Sequence, residues 1–329
     1  MTRGKKLLAS LLILVLISAA AIVVNGKNNK DQMDATQTET QETGVTILSV
    51  DSEQVISLSW TWAGQQYRFE RSEDGWFYAE DPTFPLNESY IQVMLSRLSN
   101  LKAGKVLENP ADLSEYGLSD PECSVLVTTE AGEIALDIGA KSVVEKLRYL
   151  SVGDGMVYLE EGSSNLYSAF SHSLLDVVQE EDIPDMTDIV SLCVKTAEDE
   201  LMLTRQVTQN ETEETAKWFW TLDLVLDSEL ADAFAENMVN LSWNNCVDYC
   251  AEKGELTSYG LEQPEATVTV VYSKEEGQEE NFCLEIGSVT ENGCYARIGG
   301  SNMIYLIDAT VGETMIHTTA DDLSAQIEG

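Results

Sequence analysis

The sequence predicts an α+β protein. Two tandem duplicated domains of mainly antiparallel sheet, with one main helix each, follow an N-terminal transmembrane helix. Three observations lead there. First, Tyr116-Gly117-Leu118-Ser119-Asp120-Pro121 recurs 143 residues later as Tyr259-Gly260-Leu261-Glu262-Gln263-Pro264. The segments downstream of each copy recur in the same order: Leu136-Asp137-Ile138-Gly139 matches Leu284-Glu285-Ile286-Gly287, Tyr149 matches Tyr295, and residues 156–159 match residues 303–306. The offset drifts only from 143 to 148, so insertions fall in loops while strand cores keep their order, as a duplication requires. Second, strand patterns cluster around a single helical pattern in each copy, and the gaps between strands are too short for parallel crossovers. Third, residues 7–24 carry no charge and are flanked by Arg3, Lys5 and Lys6 on one side and Lys27 and Lys30 on the other.

That run is about 18 residues, the lower limit for a helix crossing a bilayer. A retained signal anchor with its basic end inside competes with a cleaved signal peptide cut near Ala19-Ala20-Ala21. The anchor is favoured, because Ile22-Val23-Val24 extends the apolar run past the small residues. No Cys lies nearby to carry a lipid. The expected organisation is an anchor at 1–26, a polar stalk at 27–44, a first repeat domain at 45–184 and a second at 185–329. The expected location is the cytoplasmic membrane, crossed once, with the bulk of the chain outside. Stalk residues are nearly all Asn, Gln, Thr, Glu and Asp, and bury too little apolar surface to offset the entropy of ordering.

In the first copy, residues 45–59 and 67–71 alternate apolar and polar as strands do. Ser72-Glu73-Asp74-Gly75 is a turn, and Trp76-Phe77-Tyr78 a short aromatic strand. Asn87 is a candidate N-cap for a helix with Ile91, Met94, Leu95, Leu98 and Leu101 on its buried face. The second copy repeats the order, with strands at 190–194 and 201–205, a longer loop at 209–216, and the aromatic strand Trp218-Phe219-Trp220. Asp227 caps a helix carrying Leu230, Ala233, Phe234, Met238 and Leu241. A strand precedes each Tyr-Gly-Leu turn, and four strands with a short terminal helix complete the copy. Within the turn, Gly117 and Gly260 permit a backbone conformation that other residues avoid. Pro121 and Pro264 hold the preceding residue extended and launch the next strand. Tyr116, Leu118, Tyr259 and Leu261 complete these turns, which are structural rather than catalytic.

The formal net charge is −38. Of 19 Lys and Arg, five fall in residues 1–30, where there is no acid, so the remainder sets 14 against 57 and carries −43. Such a surface repels nucleic acid and anionic lipid; basic peptides and cations are the partners it suits. Six cysteines outside the cytoplasm permit disulfides. Cys283 and Cys294, on expected neighbouring strands, are the candidate pair, against a reading as free buried thiols. Two histidines and one unaccompanied Cys246/Cys250 pair give no nucleophile motif and no zinc set. Phosphate loops are absent. No catalytic, cofactor-binding or metal residue is therefore expected, and no cofactor. Trp60 and Trp62, two apart and so on one strand face, are the candidates for an exposed ligand platform.

Several of these features together resemble the bacterial domain-of-unknown-function 4340 family. They are the N-terminal apolar segment, Gly75-Trp76 ahead of a helix, Leu113-x-x-Tyr116-Gly117-Leu118-x-x-Pro121 with Leu136-x-Ile138-Gly139, and the second copy at 256–287. The resemblance implies a membrane-anchored extracytoplasmic protein, often encoded beside ABC transporter subunits. ABC transporter membrane subunits are thus the implied partners. Two roles are expected: a non-enzymatic accessory to an ABC-type transport or surface-assembly system, or a binding module for a cell-surface glycan or cationic ligand.

Overall fold

The computed structural model describes residues 44–324, apart from 163–164, 210–213, 221–223 and 275–276. The expected anchor at 1–26, and the expected stalk up to residue 43, lie outside the described residues. From Gly44 onward the chain forms one compact unit, built on two nine-stranded sheets.

The first copy supplies β1 (Val45–Leu48), β2 (Val55–Trp62), β3 (Gln65–Ser72), β4 (Gly75–Tyr78), helix α1 (Glu88–Leu98), β5 (Leu101–Leu107), β6 (Cys123–Thr129), β7 (Gly132–Lys141), β8 (Arg148–Ser151), β9 (Val157–Glu160) and the short helix α2 (Leu166–Phe170). The second supplies β10 (Ile189–Thr196), β11 (Glu200–Gln209), β12 (Glu214–Trp220), β13 (Leu224–Val225), α3 (Ser228–Val239), β14 (Asn245–Asp248), β15 (Ala266–Ser273), β16 (Glu279–Thr290), β17 (Gly293–Ile298), β18 (Ile304–Ile307) and α4 (Ala309–His317). The sheet orders are β4-β3-β2-β6-β7-β8-β9-β5-β1 and β12-β11-β10-β15-β16-β17-β18-β14, with β13 added beside β12. Eight positions coincide in order, and every pairing between these strands is antiparallel. The architecture is α+β, dominated by antiparallel sheet. The extra strands β1 and β13 sit on opposite edges, so the two strand orders differ only at their rims.

Register makes the equivalence explicit. Leu58 pairs with Phe69 and Val127, and Leu192 with Leu203 and Val270. Both main helices start where their caps dictate: the Asn87 side chain accepts from the Ser89 N–H, and the Asp227 side chain from the Glu229 and Leu230 N–H groups. Helix α1 buries Ile91, Met94, Leu95 and Leu98, whereas Leu101 opens β5 instead of extending the helix. Helix α3 turns its buried face by one residue from the expected phase. It buries Ala231, Phe234, Ala235 and Met238, and leaves Leu230 45 % exposed. Three alanines on this helix offer little contrast between faces, and Phe234 and Met238 decide which face goes down.

The Tyr-Gly-Leu turns lock onto the Ile-Gly strands. Leu113–Tyr116 and Leu256–Tyr259 each form one 3-10 turn, closed by Gly117 (φ 67°) and Gly260 (φ 71°) in the left-handed region. The carbonyl oxygens of Tyr116 and Tyr259 lie over Gly139 and Gly287, where a Cβ would come within 2.3 and 2.1 Å of them. Tyr116 meets Tyr149 edge to face at 4.9 Å, and Tyr259 meets Tyr295 in the same way at 5.1 Å. Leu118 and Leu261 are buried. Pro121 and Pro264 each stand two residues ahead of the strand they launch.

A clasp joins the copies. Trp243 stacks on Tyr305 at 4.2 Å, its indole N–H donates to the Glu181 carbonyl (2.8 Å), and the Glu181 N–H donates to the Tyr305 hydroxyl (2.8 Å). Ser301 donates to the Glu181 carboxylate (2.8 Å). Nearby, Phe84 meets Tyr249 at 4.9 Å, and the Tyr249 hydroxyl donates to Asp81 (2.9 Å). Cys246, Met303 and Tyr305 of the second copy lie in the hydrophobic core of the first. The connector is thus part of a packed interface rather than a free linker.

Candidate functional site

The structure places the expected site residues differently from the sequence reading. Trp60 is 1 % exposed, stacked on Phe69 at 5.3 Å, with its indole N–H bonded to the His172 carbonyl (2.9 Å). Trp62 is partly buried against the same core. The strand pleat does put both on one face, but that face is the one covered by α1 and α2, so Trp60 is no surface platform. Cys283 and Cys294 are free thiols, as are the other four cysteines. They do lie on adjacent strands, but Cys294 stands opposite Val289, while Cys283 lies at the far end of the pairing, where its carbonyl accepts from Gly299. The pairing register therefore keeps the two sulfurs apart.

Burial pushes the Cys123 and Cys246 thiols up to about 12 and Cys294 to about 11. Thiolate is the reactive form, so these three are inert at neutral pH in the folded protein. Iodoacetamide at pH 8 is expected to modify exposed Cys250 first, and to reach Cys123, Cys246 and Cys294 only after denaturation; peptide mapping reads the order. Equal labelling of all six in native protein would contradict these burials.

A different site emerges from the register. On β3 and β4, Arg71 stands directly opposite Trp76; on β11 and β12, Arg205 stands opposite Trp218. Each pair lies beneath the flank of its copy's main helix. Gln92, Leu95, Ser96 and Ser99 line a cavity of about 530 Å³ with Arg71 and Trp76. Asp232, Ala235, Glu236 and Val239, which stand at the same distances from their N-cap, line one of about 300 Å³ with Arg205 and Trp218. The fold has thus built one groove twice. The Arg-then-Trp order in both copies was the available sequence signal.

The two grooves have diverged. In the first, the Arg71 guanidinium is fixed from below by the Ser52 and Glu53 carbonyls (3.2 and 3.4 Å), with the Glu53 carboxylate at 3.8 Å. Glu88 accepts the Trp76 backbone N–H (3.2 Å), and Gly75 (φ 127°) leaves room for that carboxylate. Trp76 is half-buried. In the second, Trp218 is 2 % exposed and its indole N–H is taken by Asp232 at 2.6 Å. Arg205 meets Asp188 at 3.3 Å. Its Nε is the only buried side-chain polar atom among the described residues without a hydrogen-bond partner.

A further cavity of about 320 Å³ lies on the seam between copies, lined by Asn87, Tyr90, His172, Gln179 and Asn244 among others. His172 meets Tyr90 edge to face at 5.4 Å, and His317 ends α4. Among the described residues, no group of three or more His, Cys, Asp or Glu side chains is placed to hold a metal ion, and no helix is long and apolar enough to cross a membrane.

Comparison with curated proteins and with solved structures gives no match. The family described as a domain of unknown function (DUF4340) matches residues 76–219 and 221–326. Its two segments begin at Trp76 and just after Trp220, so they are phased by the aromatic strand: each takes in the main helix and Tyr-Gly-Leu turn of one copy. With most of the sequence matched in two consecutive segments, the chain belongs to the DUF4340 family, in tandem duplicate.

Proposed function

We propose that this protein is a membrane-anchored extracytoplasmic accessory subunit, without enzymatic activity of its own, of an ABC-type transport or surface-assembly system. The observation that carries the proposal is the packed seam between the copies: Tyr249 meets Phe84 and Asp81, and Cys246, Met303 and Tyr305 enter the first copy's core, with the connector clasped to Tyr305 through Glu181. An adaptor needs its halves joined in this way to present two surfaces together. The uncharged run at residues 7–24 supplies the tether, and tethering raises the effective concentration for a weak contact in the same membrane. The acidic surface favours a basic partner face. Co-purification of the full-length protein from native membranes, followed by mass spectrometry, is expected to recover ABC permease and ATPase subunits in stoichiometric amount. Recovery of the bait alone would count against the proposal.

A second reading is favoured by the repeated groove: the body is a binding module for a cell-surface glycan or cationic ligand. The two readings are compatible, since an accessory subunit can also carry a ligand site.

A further inference from the structure

We propose that the Arg71–Trp76 groove binds a neutral oligosaccharide, one molecule per chain. The inference rests on the binding-module reading and gives it a location and a ligand chemistry. The cavity of about 530 Å³ falls in the range of small-molecule sites. Its polar groups are mixed: one guanidinium, the carboxylates of Glu53, Glu73 and Glu88, the Gln92 amide and several serine hydroxyls. An anionic ligand would face three carboxylates against one cation. A cationic ligand would meet Arg71, which its bonds to two backbone carbonyls hold in place. A sugar hydroxyl both donates and accepts, so one ring can accept from Arg71 and Gln92 while donating to the carboxylates. Trp76, half-buried in the groove wall, adds an apolar aromatic surface for the C–H face of a ring.

Divergence between the copies sets the stoichiometry. The second groove is smaller, its Trp218 is almost fully covered, and the indole N–H is committed to Asp232. Among the described residues it has no open aromatic wall on which to stack a ring.

The test is titration of the full-length protein, in a detergent without a sugar headgroup, with malto-, cello- and chitotetraose, read by calorimetry and saturation-transfer NMR. At least one of these is expected to bind with 1:1 stoichiometry, and its affinity is expected to hold through an about tenfold rise in salt, since no net charge is exchanged. Trp76→Ala is expected to weaken binding about tenfold or more. Because Trp76 also contributes packing, Gln92→Ala is the second variant: its side chain is exposed on α1, and its loss should weaken binding about threefold with stability unchanged. Glu236→Ala, in the second groove, should leave binding as it is. Binding that ignores both Trp76→Ala and Gln92→Ala would overturn the site. If the sugars fail and oligolysine binds in a salt-sensitive way, the glycan assignment falls and the binding-module reading stands. If neither sugars nor oligolysine bind, both fall.

Discussion

Gly287→Ala is expected to destabilise the protein by about 3 kcal/mol, at the upper end of the usual overpacking range. The added Cβ would sit 2.1 Å from the Tyr259 carbonyl oxygen and 3.0 Å from Leu261 Cγ. The first of these is backbone and has no rotamer to escape through. Nor can the turn retreat, because Gly260 is itself pressed against the main chain at Ser288, where a Cβ would be 2.6 Å from the nitrogen. Gly139→Ala meets the Tyr116 carbonyl in the same way at 2.3 Å, so it should cost a similar amount. Gly254→Ala is the control, since nothing lies within 4 Å of its added Cβ and its φ is ordinary. Urea denaturation compares the three through their midpoints. If Gly287→Ala and Gly139→Ala were no worse than Gly254→Ala, the locked-turn account would be wrong.

Tyr305→Ala is expected to cost about 3–5 kcal/mol and to uncouple the lobes. Tyr305 is fully buried in the core of the first copy, although β18 belongs to the second. Truncation removes the ring stacked on Trp243 and leaves the part-buried Glu181 N–H without its acceptor. The lobes each retain a sheet, a helix and most of a core, so losing the clasp should let them melt separately. Calorimetry of the variant should therefore show two transitions. Tyr305→Phe removes only the hydroxyl; it should cost about 1–2 kcal/mol and keep a single transition. An unsplit melt in Tyr305→Ala would mean that the coupling lies elsewhere in the interface.

Local chemistry explains what was legible in the sequence. The Tyr-Gly-Leu turns, the Ile-Gly strands and the caps Asn87 and Asp227 each depend on neighbours a few residues away, and their patterns read correctly. Pairing between strands was harder. The Cys283–Cys294 expectation found the right two strands, but register depends on how the hairpin closes, and β16 runs on to Thr290 before it turns. For Trp60 and Trp62, alternation showed that they share a face but not which face the helices cover, and tryptophan suits either environment. The groove was hidden by an offset: Arg71 and Arg205 are 134 residues apart, but Trp76 and Trp218 are 142 apart, because the second hairpin is longer. Only the cross-strand pairing restores their equivalence. The Glu181 clasp reaches 62 residues to Trp243 and 124 to Tyr305, and leaves no local trace.

The body's unity underlies both the adaptor reading and the fixed placement of the grooves. Differential scanning calorimetry of the wild-type protein tests it most directly. One transition, with calorimetric and van't Hoff enthalpies in agreement, is the predicted result. Two resolved transitions in the wild type, one for each copy, would show that the duplicated lobes fold and move independently, and would contradict the account.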